Sequence, residues 1–256
     1  MINITSQLLG GIGNMLFTTA TAYSISTEFN LNQVLSLNHI GAMHTSPDKY
    51  ADNIFRKLQV VESVDDYQIV NETSFAYSPI KIPIDKNIKL FGYFQSEKYF
   101  AKLRSQILEL FSPTDEILNE IYIKYGHLYK NKTLSLHIRR GNYVNLSNIY
   151  QPIAIDYYYK ALDYFPNHNV LVFSDDIEYC KIIFKNKNFY FIENERDIID
   201  LYMMSLCNHN VIVNSTFSWW GAWLNKNKNN VVCPTMWFRE GYYDNRDIIP
   251  DSWIKI

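Results

Sequence analysis

The sequence has little of what marks secreted, membrane-spanning or nucleic-acid-binding proteins. Its three cysteines form no CxxC pair and lie among apolar neighbours, which predicts reduced core residues in a cytosolic protein. No apolar run approaches the ~20 residues of a membrane span, and no basic segment leads into a secretory signal. The 24 basic and 26 acidic residues leave a formal net charge of -2, which argues against a broadly basic nucleic-acid binder.

Aromatic residues, in contrast, are abundant. The 256 residues include 20 Tyr, 15 Phe and 5 Trp, and 47% of the chain is hydrophobic, so it can fill a core and extended disorder is excluded. At roughly 100–200 residues per domain, the length suggests one large domain or two small ones. Composition does not decide whether the rings only fill the core or also form a binding surface.

Predicted strands and helices alternate along the chain. The strands are predicted near 1–9 and over 33–37, 90–94, 134–138, 170–173, 189–192, 211–213 and 231–233. The helices are predicted over 15–26, 97–110, 114–125, 153–165, 177–184, 197–207 and 217–224. This alternation indicates a doubly wound parallel sheet, and ligands on such sheets bind at the carboxyl ends of the strands.

A glycine-rich turn, Gly10-Gly-Ile-Gly-Asn14, opens the first predicted helix. Glycines let the backbone approach a ligand closely, and a helix N-terminus presents free N–H groups to an anion. The turn is neither a dinucleotide fingerprint, because the third glycine is missing, nor a P-loop, because no Gly-Lys-Ser/Thr follows. A tight turn without a ligand remains the alternative.

The segment His137-Ile-Arg-Arg-Gly-Asn-Tyr143 follows a strand of the buried type. His137 and Arg139 would point the same way along that strand. A guanidinium at the end of a buried strand costs free energy unless an anion pairs with it. Such a group can hold a phosphate with two parallel hydrogen bonds. An internal salt bridge to a carboxylate is the alternative.

Two further polar segments end predicted strands. Ser174-Asp175-Asp176 could cap the next helix, bind a metal, or recognise a base or ribose, and spacing favours a cap from one of the two aspartates. Asn214-Ser-Thr-Phe217 precedes a helix that carries three tryptophans, so it suits either a phosphate or a Ser/Thr cap on an aromatic core helix.

Together these segments resemble the inverting α-1,2-fucosyltransferases of glycosyltransferase family 11. The matching stretches follow the family's order over residues 10–234: Gly10-Gly-Ile-Gly-Asn-Met-Leu-Phe, Gly92-Tyr-Phe-Gln-Ser-Glu-Lys-Tyr-Phe, His137-Ile-Arg-Arg-Gly-Asn-Tyr, Phe173-Ser-Asp-Asp, Asp200-Leu-Tyr-Met-Met-Ser-Leu-Cys and Asn214-Ser-Thr-Phe-Ser-Trp-Trp-Gly-Ala-Trp. The third and the last of these stretches are the most specific.

The resemblance implies an α/β protein of GT-B type, with two Rossmann-like lobes facing across a cleft and a reduced N-terminal lobe. The acceptor-side lobe would span 1–130, and the GDP-fucose-binding lobe 131–256. The expected partners are GDP-fucose and a galactose-terminated oligosaccharide or lipid-linked glycan, without a metal or other cofactor. A cytoplasmic location, with peripheral membrane contact through a lipid-linked acceptor, is expected; the oligomeric state is left open.

The resemblance also implies roles for individual residues. Arg139 would hold the β-phosphate, His137 would line the same pocket, and Asn14 would approach the reacting centre. The full set expected to bind the donor is Gly11, Gly13, Asn14, His137, Arg139, Arg140, Asp175, Asp176, Asn214, Ser215, Thr216 and Phe217. The residues expected to meet the acceptor are Tyr93, Gln95, Glu97 and Tyr143.

The chain departs from the family pattern at two places. Asn142 stands where the family usually has aspartate, so that position is not named as the base, and Glu97 and Asp156 are the candidates that remain. Met15 replaces a usual glutamine. Other readings are a fucosyltransferase of another linkage, another sugar-nucleotide transferase, a carbohydrate-binding module with tryptophan platforms, and a nucleotide-binding regulator.

Overall fold

The computed structural model describes residues 1–37, 46–83, 85–141, 149–150, 153–227 and 229–256. It divides into two compact units, each built on a parallel sheet. Unit 1 comprises Met1–Pro113 and Asp244–Pro250, and unit 2 comprises Thr114–Tyr243 and Asp251–Ile256. The first segment of unit 1 thus ends at Pro113, whereas the predicted boundary between the two lobes followed residue 130. The α/β class of GT-B type, with two parallel-sheet units, is confirmed.

Unit 1 has a five-stranded sheet in the order β3-β2-β1-β5-β4. Its strands are β1 (Asn3–Ser6), β2 (Asn32–Ser36), β3 (Gln59–Val61), β4 (Tyr67–Asn71) and β5 (Asn87–Phe91). Its helices are α1 (Ile12–Phe29), α2 (Asp48–Ala51) and α3 (Arg104–Leu110), with 3₁₀ turns at Glu97–Tyr99 and Ala101–Leu103. Ile4, Ile88 and Leu90 of the central strands pack against Ala22 and Ile25 of α1.

The single helix predicted over 97–110 is wrong. The structure has two 3₁₀ turns before α3, because Phe100 at φ -143° leaves the helical region between them. Ser96 caps the first turn, since its Oγ accepts a hydrogen bond from the Lys98 N–H. This interruption keeps residues 92–100 as a compact turn at the carboxyl end of β5.

Unit 2 has a six-stranded sheet in the order β11-β10-β9-β6-β7-β8. Its strands are β6 (Thr133–Ile138), β7 (Asn169–Ser174), β8 (Phe189–Phe191), β9 (His209–Val211), β10 (Val231–Cys233) and β11 (Ile254–Lys255). Its helices are α4 (Asp115–Tyr125), α5 (Ile155–Leu162), α6 (Ile177–Ile183), α7 (Asp197–Leu206) and α8 (Thr216–Trp223), with a 3₁₀ turn at Leu128–Lys130. All six residues of β6 are buried, as a central strand covered on both faces requires.

The tryptophans of α8 belong to the core of unit 2. Trp219 and Trp220 are fully buried and Trp223 is 2% exposed, with the rings of Trp219 and Trp220 5.1 Å apart. Gly221 lets α8 approach α7, because a Cβ there would lie 2.9 Å from the Cβ of Met204. Buried rings cannot serve as flat platforms for a sugar, so the structure answers the question that composition left open for this cluster.

The chain crosses between the units more than once. Asp247, in the short segment that rejoins unit 1, accepts a hydrogen bond from the Tyr77 N–H at 2.9 Å and pairs with Lys98. The residues that follow return to unit 2, where β11 extends the sheet beside β10. Both units are therefore made of segments that are separate in the sequence.

Candidate active site

Three neighbouring strands bring the predicted donor residues of unit 2 together. β6 lies between β7 and β9, and Ile138 at its carboxyl end is level with Ser174 of β7. The polar segments that follow these strands therefore meet at one edge of the sheet. His137 and Phe217 are in ring contact across this edge, with centroids 5.7 Å apart. The structure thus unites segments that the sequence predicted separately.

Asp175 holds Arg139 where it leaves the sheet. Its Oδ2 pairs with Nη1 of Arg139 at 3.0 Å, and its Oδ1 accepts the N–H of Arg140 at 2.9 Å. A Cβ at position 141 would collide with the Asp175 carboxylate, so Gly141 makes this approach possible. The Arg139 side chain keeps 34% of its surface exposed, which leaves the guanidinium accessible to an anion.

Asp176 and Tyr179 fix the second arginine. Asp176 caps α6 by accepting the N–H of Tyr179 at 3.3 Å, which confirms that one of the two aspartates is a cap. Its Oδ2 also accepts Nε–H of Arg140 at 3.1 Å. The Arg140 guanidinium lies 3.5 Å from the centroid of the Tyr179 ring, a cation–π contact that no sequence pattern indicated.

His137 is a neutral imidazole in this site. Burial, reinforced by the positive charge of Arg139, lowers the pKa of His137 to about 3. A neutral imidazole has one donor and one acceptor nitrogen. Its Nδ1 is buried without a hydrogen-bond partner within the described residues. His137 can therefore hydrogen-bond to a ligand without adding a second charge beside Arg139.

The segment before α8 leaves the N-terminus of that helix open. Ser215 is at the N-cap position but makes no side-chain cap, so the predicted Ser/Thr cap is wrong, while the predicted core helix is confirmed. Asn214 is buried, and its Nδ2 donates to the carbonyl of Trp237 at 3.0 Å. Thr216 and Phe217 are partly exposed beside it. Uncapped N–H groups at a helix start are suited to an anion.

Unit 1 brings Asn14 and Gln95 together. Gly10 has φ +68°, and a Cβ there would lie 2.5 Å from Asn14 Nδ2, so the turn needs glycine. Gly11 is the N-cap of α1 and makes no side-chain cap, and Gly13 lies buried in its first turn. Asn14 Oδ1 accepts Nε2–H of Gln95 at 3.0 Å.

The remaining candidates for acceptor binding and for the base each have different neighbours in the part of the chain that the structure describes. Tyr93 stacks near Phe75, with ring centroids 5.9 Å apart. Glu97 interacts electrostatically with Arg104 and partly offsets the lowering of that guanidinium's pKa by burial. Asp156 is exposed in the first turn of α5. Tyr143 and Asn142 lie outside the described residues. The roles of all these residues stay predictions.

Sequence reasoning missed Glu72, which shapes the turn after β5. Its two carboxylate oxygens accept the N–H groups of Tyr93 and Phe94, each at 2.8 Å. Burial raises the pKa of Glu72, and the two backbone hydrogen bonds oppose that rise. A single glutamate after an edge strand carries no recognisable pattern, so only the folded chain reveals this contact.

Asp200, in one of the stretches that resemble the family, is a partly buried acid on α7. Burial, with the charges of Glu195 and Asp197, raises its pKa to about 7, and its Oδ1 has no partner within the described residues. Because its pKa is higher in the folded state, folding favours the protonated form. The free energy of unfolding should therefore fall as the pH rises from about 4 to about 7.

Replacing Asp200 by asparagine should remove this part of the pH dependence. We expect Asp200→Asn to be more stable than the wild type at pH 8 and close to it at pH 4, measured by urea unfolding. Asp163→Asn, at an exposed acid of the same unit, is the matched control and should change stability little at either pH. Equal stability differences at both pH values for Asp200→Asn would contradict the assignment.

Within the described ranges, no group of three or more His, Cys, Asp or Glu side chains comes together as metal ligands. In the same part of the chain, no helix is both long and apolar enough to cross a membrane. The three cysteines are buried and unpaired, as predicted.

Comparison with known proteins identifies relatives of this chain and solved structures that share its fold. An α-1,2-colitosyltransferase of Escherichia coli is 28% identical over 99% of this chain and 98% of its own length. Human galactoside α-(1,2)-fucosyltransferase 1 is 27% identical over 61% of this chain and 47% of its own length. The α-1,6-fucosyltransferase NodZ, co-crystallized with GDP, shares the fold with a TM-score of 0.57 over 86% of this chain and 91% of that one, at 13% identity.

The family assignment rests on a match over most of the sequence. The model of glycosyl transferase family 11 matches residues 54–256, which include every donor segment of unit 2. The turn at Gly10 precedes that match but falls within the alignment to the colitosyltransferase. The resemblance found in the motifs is therefore confirmed: the chain belongs to glycosyl transferase family 11.

Proposed function

We propose that the chain transfers L-fucose from GDP-fucose to the 2-hydroxyl of a terminal β-galactoside in a glycan or surface polysaccharide, with inversion. The observation that carries the donor part is the placement of Arg139, which Asp175 anchors at the sheet edge where the uncapped start of α8 also lies. The α-1,2 linkage and the galactoside acceptor are supported by the names of the two relatives.

The unit 2 site supplies the charge that this reaction needs. As the acceptor oxygen bonds to the anomeric carbon, the bond from that carbon to the diphosphate oxygen breaks, and the electron pair leaves with GDP. Arg139 neutralises the negative charge that grows on the β-phosphate. The N–H groups of Thr216 and Phe217 face the pyrophosphate, and neutral His137 donates to it or to the adjoining ribose. Arg140, Asp175 and Asp176 shape the nucleotide end of the site.

The reaction proceeds without a metal in this proposal. Arg139 and the start of α8 can together provide the electrostatic stabilisation that a divalent cation gives to a leaving diphosphate in other enzymes. The Asp175–Asp176 pair is engaged with the two arginines and the cap of α6, not arranged as a metal site. Transfer should accordingly be insensitive to a chelator.

The acceptor hydroxyl loses its proton during transfer. Glu97 and Asp156 remain the candidates to receive it, and the oxocarbenium-like transition state reduces the need for a strong base. Asn14 and its partner Gln95 provide amide groups suited to sugar hydroxyls in unit 1. The acceptor glycan is either free or lipid-linked, and with the latter the protein would work at the cytoplasmic face of a membrane.

A second donor is supported by one specific observation. The relative aligned over 99% of this chain is a colitosyltransferase, and colitose is L-fucose without its 3-hydroxyl. The same diphosphate contacts would serve GDP-colitose. Assays of both donors with one galactoside acceptor therefore decide between fucose and colitose transfer.

The proposal is tested first by nucleotide binding. GDP at about 100 times its dissociation constant should raise the free energy of unfolding by about 2.7 kcal/mol, seen as a higher melting temperature. UDP is the matched control and should shift it less. No shift at millimolar GDP would contradict the donor assignment and favour a carbohydrate-binding protein. Transfer to a β-galactoside, with the linkage and anomeric configuration of the product read by NMR, then tests the reaction itself.

A further inference from the structure

Unit 1 contains a cavity that the donor chemistry does not use. It has a volume of about 310 Å³, at the lower end of the range for small-molecule sites, and lies at the carboxyl end of the edge strand β4. Its wall and rim include Asn71, Thr73, Ser78, Lys81, Phe94 and Tyr99. All of these residues lie within unit 1.

The lining combines an aromatic ring with polar groups, among them the charged side chains of Glu72 and Lys81. Phe94 is fully buried, and its ring meets that of Tyr99 edge-on at 5.5 Å. The Tyr99 hydroxyl accepts the N–H of Ser78 at 3.1 Å and can still donate its own hydrogen. Burial and the charge of Glu72 raise the pKa of Tyr99 to about 12, so the phenol stays protonated at neutral pH. Asn71 and Thr73 add exposed amide and hydroxyl groups at the rim.

The turn that forms one wall of the cavity is held in an uncommon conformation. Phe94 has φ +51°, a left-handed backbone conformation that is strained for a residue other than glycine. The carboxylate of Glu72 stabilises this turn through the N–H groups of Tyr93 and Phe94. The next residue, Gln95, bonds to Asn14. Phe94 therefore forms part of the cavity wall, while its neighbour Gln95 belongs to the amide pair proposed to meet the acceptor.

The position of the cavity fits a ligand longer than one sugar. In the sheet order, β5 separates β4 from β1, whose carboxyl end leads to the Gly10 turn. At about 4.8 Å per strand, the cavity lies roughly 10 Å from that turn. An aromatic ring with hydrogen-bond donors and acceptors around it is suited to a pyranose, whose C–H face packs on the ring while its hydroxyls bond at the edge.

On this basis, and resting on the proposed function, we propose that the cavity holds the penultimate sugar of the acceptor glycan, the ring next to the one that receives fucose. The cavity then acts on specificity: it selects acceptors of at least two sugars and takes no part in bond breaking. Asn71, Thr73 and Tyr99 provide the hydrogen bonds, and the half-buried ring of Tyr99, backed by Phe94, provides the packing face.

The test fills the cavity from its rim. Thr73 is exposed, so Thr73→Trp can place an indole in the cavity without disturbing the core. We expect the KM for N-acetyllactosamine to rise at least tenfold, with unchanged KM values for methyl β-galactoside and GDP-fucose. Asn71→Ala should raise the KM for the disaccharide in the same selective way, by a smaller factor. Lys102→Trp, at an exposed position outside the cavity lining, is the matched control and should change none of these constants.

Binding provides a readout that does not depend on transfer. Saturation-transfer NMR should show contact between N-acetyllactosamine and the wild type that is weakened in Thr73→Trp. If Thr73→Trp affects methyl β-galactoside equally, or affects neither acceptor, the assignment of the cavity is overturned. If the wild type binds the disaccharide in this Thr73-dependent way but transfers no fucose, the proposed function fails while the sugar site stands.

Discussion

Replacing Arg139 by alanine should lower the rate of transfer by at least about 10²–10³-fold, because loss of one preorganised donor costs that much at comparable sites. The guanidinium is anchored by Asp175 and exposed at the sheet edge, so it can meet the leaving diphosphate directly. The rate is measured as release of GDP and formation of fucosylated product at saturating donor. Circular dichroism and the melting temperature establish that the variant is folded.

Two further variants test whether the loss of activity is specific to the guanidinium of Arg139. Arg139→Lys keeps the charge but loses the two-pronged hydrogen bonding, so it should retain only part of the activity. Arg196→Ala removes an exposed arginine of the same unit that pairs with Glu120, and it should leave the rate unchanged. Near-normal turnover by a folded Arg139→Ala protein would overturn the role assigned to this residue.

Replacing Trp219 by alanine should reduce the free energy of unfolding by about 3–5 kcal/mol, the cost of deleting a large ring from a packed core. Trp219 is fully buried, and its ring lies 5.4 Å from that of Trp253 and 6.1 Å from that of Trp223. Such a loss is a large share of the stability of an ordinary domain. Urea unfolding followed by circular dichroism provides the measurement.

Further variants distinguish a role of Trp219 in the core from a role in sugar binding. Trp219→Phe keeps an aromatic ring and should cost clearly less than the alanine variant. Tyr164→Ala removes a half-exposed ring of the same unit and should change stability by about 0.5 kcal/mol or less. A Trp219→Ala protein with wild-type stability but no glycan binding would instead support a tryptophan platform.

Buried strands were easier to predict from the sequence than exposed or very short ones. The runs that became β6 and β7 are buried almost throughout, so their apolar character was visible. By contrast, β3 and β4 are largely exposed edge strands, and β11 has only two residues. These three strands were missed because a short strand with few buried side chains leaves no periodic pattern.

In the candidate site, continuous motifs were predictable from the sequence, whereas contacts between residues far apart in the chain were not. The segments after β6, β7 and β9 were predicted because each is continuous in the sequence and follows a recognisable strand. The sequence analysis allowed for a salt bridge from the arginine to a carboxylate, and the structure shows one between Arg139 and Asp175. The identity of that partner and the contact of Arg140 with Tyr179 were not predictable, since these residues are far apart in the sequence. Sequence therefore indicates which side chains are available, and the folded chain determines which of them are already paired.

The interleaving of the two units has a consequence for how the protein emerges from the ribosome. Domains usually fold in turn as synthesis proceeds from the N-terminus. Here the residues of unit 1 up to Pro113 lack Asp247, the partner of Tyr77 and Lys98, until the last part of the chain appears. Strand β11 of unit 2 is translated later still. Neither unit can complete its native contacts until residues 244–256 have been synthesised, so each unit depends on a segment that is translated well after its own core.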